Sequence, residues 1–247
     1  MTDFLDTPSG RRIAYHQSAG TGVGIVFLGG FMSDMEGTKA VALEAWAQAQ
    51  GRPFVRFDYS GHGQSAGAFI DGSIGEWAAD AQAVITSLTQ GPQIFVGSSM
   101  GGWIALLMTQ RIADKVAGFV GIAAAPDFTE DSMLAGFSPE QIVELEENGV
   151  VLLPSGYGAP YPITSKLLDD GRDNLVLRTP LPLPFPVRFL QGTLDSSVER
   201  SVALRLLDHA DGDDIQLKFI KGADHSFSSP VCLEAVQAAI LDVTARV

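Results

Sequence analysis

Gln93-Ile94-Phe95-Val96-Gly97-Ser98-Ser99-Met100-Gly101-Gly102-Trp103 is the stretch on which the reading of this chain turns. A short β-prone run, Gln93 to Val96, leads into G-x-S-x-G, and a helical pattern follows from Gly102 to Arg111. Strand, tight turn and helix in that order lift a serine to the top of a sheet, with glycines relieving the crowding on either side. Working outward, the same alternation recurs. Strands are expected at Arg12 to His16, Val23 to Leu28, Pro53 to Tyr59, Val116 to Ala123, Val187 to Leu190 and Ile215 to Ile220. Helices are expected at Thr38 to Gln48, Ile74 to Leu88, Val198 to Leu207 and Val231 to Val243. Short apolar strands alternating with helices imply a mostly parallel sheet covered on both faces.

The rhythm breaks between Asp127 and Pro184. That segment holds the acidic helical piece Pro139 to Glu147, a Gly/Pro/Tyr-rich loop from Leu153 to Gly158, and Thr179-Pro180-Leu181-Pro182-Leu183-Pro184. It reads as a lid or cap inserted over the C-terminal edge of the sheet, where open α/β sheets bind ligands, or as a plain surface excursion, within one domain of residues 1–247. Leu152, Leu153, Tyr157, Tyr161, Leu167 and Leu168 are its candidates for covering an acyl chain, the alternative being that they pack inward as ordinary core.

The candidate nucleophile is Ser99, with Ser98 read as a small elbow residue. Of the four histidines, His225 follows the expected strand Ile215 to Ile220 and so falls on the same edge as Ser99. Asp195, just after Val187 to Leu190, completes the chain order Ser, Asp, His. Two other readings of the acid stand beside it: Asp195 as a helix N-cap, and Asp127 as the acid after the earlier strand. His16 and His209 read as structural, Asp224 as a turn residue, and His62 as a loop residue that can approach the site. After Val23 to Leu28, Gly29-Gly30-Phe31-Met32 is placed to supply an oxyanion-binding N–H from Phe31, the second coming from Met100. Phe31 and Met32 are also expected to line the substrate pocket.

Composition narrows the function classes. Apolar residues make up 46 % of 247, enough for a sizeable core, so disorder is not expected. The formal net charge of −13 disfavours nucleic acid and anionic membrane surfaces as partners. No apolar run reaches the roughly 18–20 residues of a membrane span. Cys232 has no partner for an internal disulfide, and Met1 to Asp6 resembles neither a secretory signal nor an arginine-rich transit peptide. A cytoplasmic protein is the resulting expectation. No metal-ligand spacing or dinucleotide fingerprint stands out, so no cofactor and no metal are expected.

Three stretches carry a family resemblance: Met35-Glu36-Gly37-Thr38-Lys39-Ala40, Arg56-Phe57-Asp58-Tyr59-Ser60-Gly61, and Gly91 to Trp103. Through them the chain resembles the palmitoyl-protein thioesterase and acyl-glucuronide esterase branch of the α/β-hydrolase superfamily. The resemblance implies the α/β-hydrolase fold and a triad on Ser99, Asp195 and His225. It also implies cleavage of carboxylic esters or thioesters, with a small-molecule ester or thioester, or an acylated protein, as substrate. The alternatives are carbon–carbon bond hydrolysis on the same triad and a non-catalytic ligand-binding homologue.

Overall fold

A computed structural model describes residues 2–154 and 160–247. In chain order, β1 (Asp3–Asp6), β2 (Arg12–Ser18) and β3 (Gly24–Leu28) precede α1 (Thr38–Ala49) and β4 (Phe54–Phe57). Next come α2 (Ile74–Leu88), β5 (Gln93–Ser98), α3 (Met100–Arg111) and β6 (Val116–Ile122). The inserted segment carries α4 (Pro139–Asn148), β7 (Val150–Leu153), β8 (Tyr161–Thr164), α5 (Ser165–Asp173) and β9 (Leu181–Pro182). The chain closes with β10 (Val187–Gly192), α6 (Arg200–His209), β11 (Ala210–Asp211), β12 (Ile215–Ile220) and α7 (Pro230–Thr244).

Eight strands form one sheet in the order β1-β2-β4-β3-β5-β6-β10-β12. The β1–β2 and β2–β4 pairs are antiparallel, and every pair from β4 to β12 is parallel. The central strands are largely apolar because both faces are buried. In β5, Phe95 packs with Trp77 of α2 and Trp103 of α3, while Ile94 and Val96 pack on the other face with Leu43 of α1 and Ile240 of α7. β3 alternates the same way, Val26 and Leu28 to one side, Ile25 and Phe27 to the other.

Most element ends shift by a residue or two from the sequence reading, and some do so for a clear local reason. The strand expected over Pro53 to Tyr59 stops at Phe57, where the Asp58 carboxylate takes the N–H groups of Met35 and Gln64 and binds the loop down. The helix expected from Gly102 begins at Met100, directly after the turn. The helix expected from Val198 begins at Arg200, because the N–H of Val198 is held by Asp195.

The insertion carries more regular structure than its sequence suggested. α4 starts on a capping box: Ser138 Oγ accepts the Gln141 N–H while the Gln141 amide oxygen accepts the Ser138 N–H. β7 and β8 then pair antiparallel, and α5 buries Leu167 and Leu168. Those two leucines join the main core cluster and do not cover the pocket. Leu152 turns to solvent at 57 % exposure, Leu153 packs against the core, and Tyr157 lies outside the described residues. Among the described residues, no helix is long and apolar enough to cross a membrane.

Candidate active site

Strand order places the site. β3 and β5 are neighbours, but the chain runs from β3 towards β4 and from β5 towards β6, in opposite directions across the sheet, and a crevice opens at the C-terminal ends of these two strands. Ser99 sits at the end of β5 in a left-handed backbone conformation, φ 54° and ψ −120°. Such a conformation costs a non-glycine residue on the order of 1–3 kcal/mol and persists only where the surroundings impose it. Here the Ser99 N–H donates to the Ile122 carbonyl at 2.9 Å, and the Ser99 carbonyl accepts from Gly102 and Ala125. The glycines are required by close approach. A Cβ on Gly97 would lie 2.4 Å from the Gly101 carbonyl oxygen, and one on Gly101 would lie 2.0 Å from that of Leu28.

The structure brings the three sequence-predicted residues into one hydrogen-bonded line. Ser99 Oγ is 3.1 Å from His225 Nε2, and His225 Nδ1 is 2.8 Å from Asp195 Oδ2. A carboxylate can only accept here, so Nδ1 carries the imidazole proton and Nε2 is left to take the serine proton. Asp195 follows β10, and its buried side chain is fully engaged. Oδ1 accepts the N–H groups of Ser197 and Val198, and Oδ2 also accepts from Gln191 Nε2 at 3.0 Å. Burial alone would raise its pKa. The hydrogen bonds from His225 and the Val198 and Ser197 N–H groups outweigh that and hold it below the usual carboxylate range. The helix N-cap reading of Asp195 is not met, because α6 begins at Arg200 with Glu199 at its cap position; one Asp195 oxygen instead closes the turn at Ser197 and Val198, and the other meets the imidazole.

Asp127 is elsewhere engaged. Its carboxylate, wholly buried, accepts the N–H groups of Val176 and Leu177 and pairs with Arg178. It pins the end of the insertion to the turn after β6. Asp127→Ala should leave those N–H groups without acceptors. A loss of about 2–4 kcal/mol of stability is expected, read by denaturant unfolding, with kcat per folded molecule little changed.

The remaining sequence candidates fall into place. Met100 is the first residue of α3, directly after Ser99, so its N–H has no intrahelical acceptor. The Phe31 N–H also has no acceptor among the described residues. Its loop backs onto Ser99: a Cβ on Gly30 would lie 3.4 Å from the Ser99 Cβ. Asp224 is a turn residue, accepting from the Phe227 N–H and Ser226 Oγ. His16 lies beside Glu36, and His209 beside the Thr179 carbonyl.

A cavity of about 680 Å³ opens over Ser99 and His225, a size typical of small-molecule sites. Phe31, Phe128, Met133, Tyr161, Val198 and Val202 form its apolar wall, and Met32 lines it at 40 % exposure. Of the lid residues expected to cover an acyl chain, Tyr161 lines it; Phe128 and Met133 do so without having been anticipated. Two supporting side chains also escaped sequence reasoning. Gln191, a polar residue inside an apolar strand, bridges Asp195 and the Val198 carbonyl. Lys39 Nζ, whose pKa burial lowers to about 8, donates to the Ser226 carbonyl beside His225.

This geometry has close counterparts. Residues 24–149 match the family model described as serine aminopeptidase, S33. The mitochondrial palmitoyl-protein thioesterase ABHD10 of Rattus norvegicus is 35 % identical over 224 residues, covering 90 % of this chain and 75 % of that protein. A crystal structure of a protein from Agrobacterium vitis S4 superposes with a TM-score of 0.95 at 37 % identity, covering 99 % of this chain and 98 % of that one. Mouse alpha/beta hydrolase domain-containing protein 10 superposes with a TM-score of 0.91 at 31 % identity, with the same coverage. With the sheet order, the elbow at Ser99 and relatives of this similarity along nearly its whole length, the chain belongs to the α/β-hydrolase superfamily, as a serine hydrolase of the branch that holds these thioesterases.

Proposed function

We propose that the protein hydrolyses carboxylic thioesters and esters through an acyl-enzyme on Ser99. The observation that carries this reading is the unbroken line from Asp195 through His225 to Ser99 Oγ, which opens into a cavity with an apolar wall. As Ser99 Oγ attacks the acyl carbonyl, its proton passes to His225 Nε2, and Asp195 stabilises the imidazolium. The tetrahedral oxyanion is stabilised by the N–H groups of Met100 and Phe31. His225 then gives its proton to the departing sulfur or oxygen, and the thiol or alcohol leaves. Water loses a proton to His225 and attacks the acyl-serine. The carboxylic acid departs and Ser99 regains its proton.

We assign the acyl side of the substrate to the apolar wall of Phe31, Phe128, Met133, Tyr161, Val198 and Val202. Each methylene buried there contributes up to about 0.8 kcal/mol, or about fourfold in kcat/KM. A series of p-nitrophenyl esters and acyl thioesters of graded length should show kcat/KM rising from acetyl to medium chains, with acid and thiol or alcohol as products. An S-palmitoylated peptide belongs in the same panel, because the relatives are named palmitoyl-protein thioesterases. A steady fall from acetyl upward would contradict the acyl-pocket assignment. Products of acid plus ketone from a diketone, without ester or thioester cleavage, would contradict the reaction class.

A further inference from the structure

His62 is almost fully buried 30 residues along the chain from Met32, and it is not part of the line from Ser99 to Asp195. Its ring nevertheless touches the loop that offers the Phe31 N–H. The Met32 N–H donates to His62 Nε2 at 3.3 Å, and His62 Nδ1 lies 3.2 Å from the Ser60 carbonyl. Since Nε2 is accepting, Nδ1 carries the proton and donates to Ser60. Desolvation lowers the pKa of this imidazole to about 4, so it is neutral near pH 7 and keeps the lone pair that Met32 uses.

The ring is itself held from all sides. It meets Tyr59, Phe69 and Trp77 edge to face, with centroids 5.7, 5.2 and 5.1 Å away. The Ser60 carbonyl that receives Nδ1–H also accepts Trp77 Nε1–H, and the Ser60 N–H and Oγ both donate to Asp80. Phe31 packs its own ring on Phe69 and Trp77, so loop and histidine share one aromatic wall.

The loop needs such an anchor. Met32 holds a φ of 51°, a conformation non-glycine residues adopt at a cost. On the N-terminal side of Phe31, the Gly30 carbonyl accepts from the Ser33 N–H and Ser33 Oγ. In a trans peptide the C=O and N–H point in opposite directions, so Ser33 turns the Phe31 N–H away from itself. On the C-terminal side, the next peptide is held by His62 alone among the described side chains. The two peptides flanking Phe31 are therefore fixed by separate groups.

We propose that His62 is a positioning residue for the oxyanion loop: by accepting the Met32 N–H it fixes the twist at Met32 and keeps the preceding N–H, that of Phe31, aimed above Ser99. Without the acceptor, the Met32 N–H is left unpaired beside an aromatic wall, the peptide turns to find water, and the Phe31 N–H moves with it. Binding of the acyl chain is untouched, while stabilisation of the oxyanion is lost. The proposal rests on the acyl-enzyme reading of Ser99.

Two variants separate the acceptor from the ring. His62→Phe keeps an aromatic ring and removes the acceptor. His62→Gln removes the ring and restores an amide oxygen near the position of Nε2. Rates are expressed per active site titrated with an alkyl fluorophosphonate, so that misfolded protein does not count. His62→Phe should lower kcat by about 10–100-fold, less than the full loss of an oxyanion donor, with KM within about threefold. His62→Gln should recover most of that. An alkyl trifluoromethyl ketone, which forms a tetrahedral adduct on a serine, should bind His62→Phe more weakly by the factor by which kcat/KM falls. Should His62→Phe fail to fold, His62→Asn serves in its place, since its amide ends short of Met32 and should behave as the loss. Equal rates per site in all variants, or equal losses in His62→Phe and His62→Gln with unchanged ketone affinity, would overturn the role of His62 and leave the reading of Ser99 intact. A wild-type protein that neither takes the fluorophosphonate nor cleaves any ester or thioester would overturn both.

Discussion

Ser99→Ala is expected to lower kcat for the best ester or thioester by about 10⁴–10⁶ while leaving the protein folded. The size follows from what the serine contributes. On the proposed mechanism, without Oγ no acyl-enzyme forms and His225 has no hydroxyl to activate, so the three residues fail together. The fold should tolerate the change, because alanine removes one oxygen whose partner is a part-exposed imidazole nitrogen. Alanine also retains the strained φ of 54°, so the elbow is neither relieved nor worsened. Ser98→Ala is the control. Ser98 ends β5 as a buried residue, and most of the activity should survive its loss. Steady-state kinetics on both variants, with circular dichroism to verify folding, makes the comparison. Comparable losses in the two would mean that the nucleophile is misassigned.

The second large effect is expected from Asp195→Asn, up to about 10⁴ in kcat. The carboxylate accepts from His225 Nδ1 and thereby keeps the proton off Nε2. An asparagine amide facing Nδ1 can instead donate to it, which moves the imidazole proton to Nε2 and leaves the ring unable to take the Ser99 proton. The turn after β10 should hold, since an amide oxygen can still accept the Ser197 and Val198 N–H groups. KM should therefore change little while kcat collapses. If Asp195→Asn retained activity and Asp127→Asn abolished it in folded protein, the acid would belong after β6 and the placement here would be wrong.

That Ser99, His225 and a carboxylate would meet on one edge was legible in the sequence, because each follows a strand in a fixed chain order, which favoured Asp195. A residue after a parallel strand lies on the C-terminal edge whatever the details of packing. The elbow added its own signature, since the contacts at Gly97 and Gly101 leave no room for a side chain. Chain order favoured Asp195 but left Asp127 as an alternative, because both follow strands; the structure points the Asp195 carboxylate at His225 and the Asp127 carboxylate at the Val176 and Leu177 N–H groups. The insertion was harder to read. β7 and β8 are four residues each, and Pro162 sits inside β8, so strand periodicity never becomes visible there. Leu167 and Leu168 are apolar for the sake of the core, and no local pattern distinguishes that from a pocket lining. The contact between His62 and Met32 joins two loops across 30 residues and leaves no periodic trace at all.

The acyl-enzyme on Ser99 is tested most directly by covalent labelling. Wild-type protein is treated with an alkyl fluorophosphonate, its intact mass is measured, and the adduct is located by peptide mapping. A single phosphonyl group on Ser99 is expected, formed in step with the loss of esterase or thioesterase activity and absent from Ser99→Ala. An adduct on Ser98 or any other residue, labelling of Ser99→Ala at the wild-type rate, or no adduct on an active preparation would contradict Ser99 as the nucleophile.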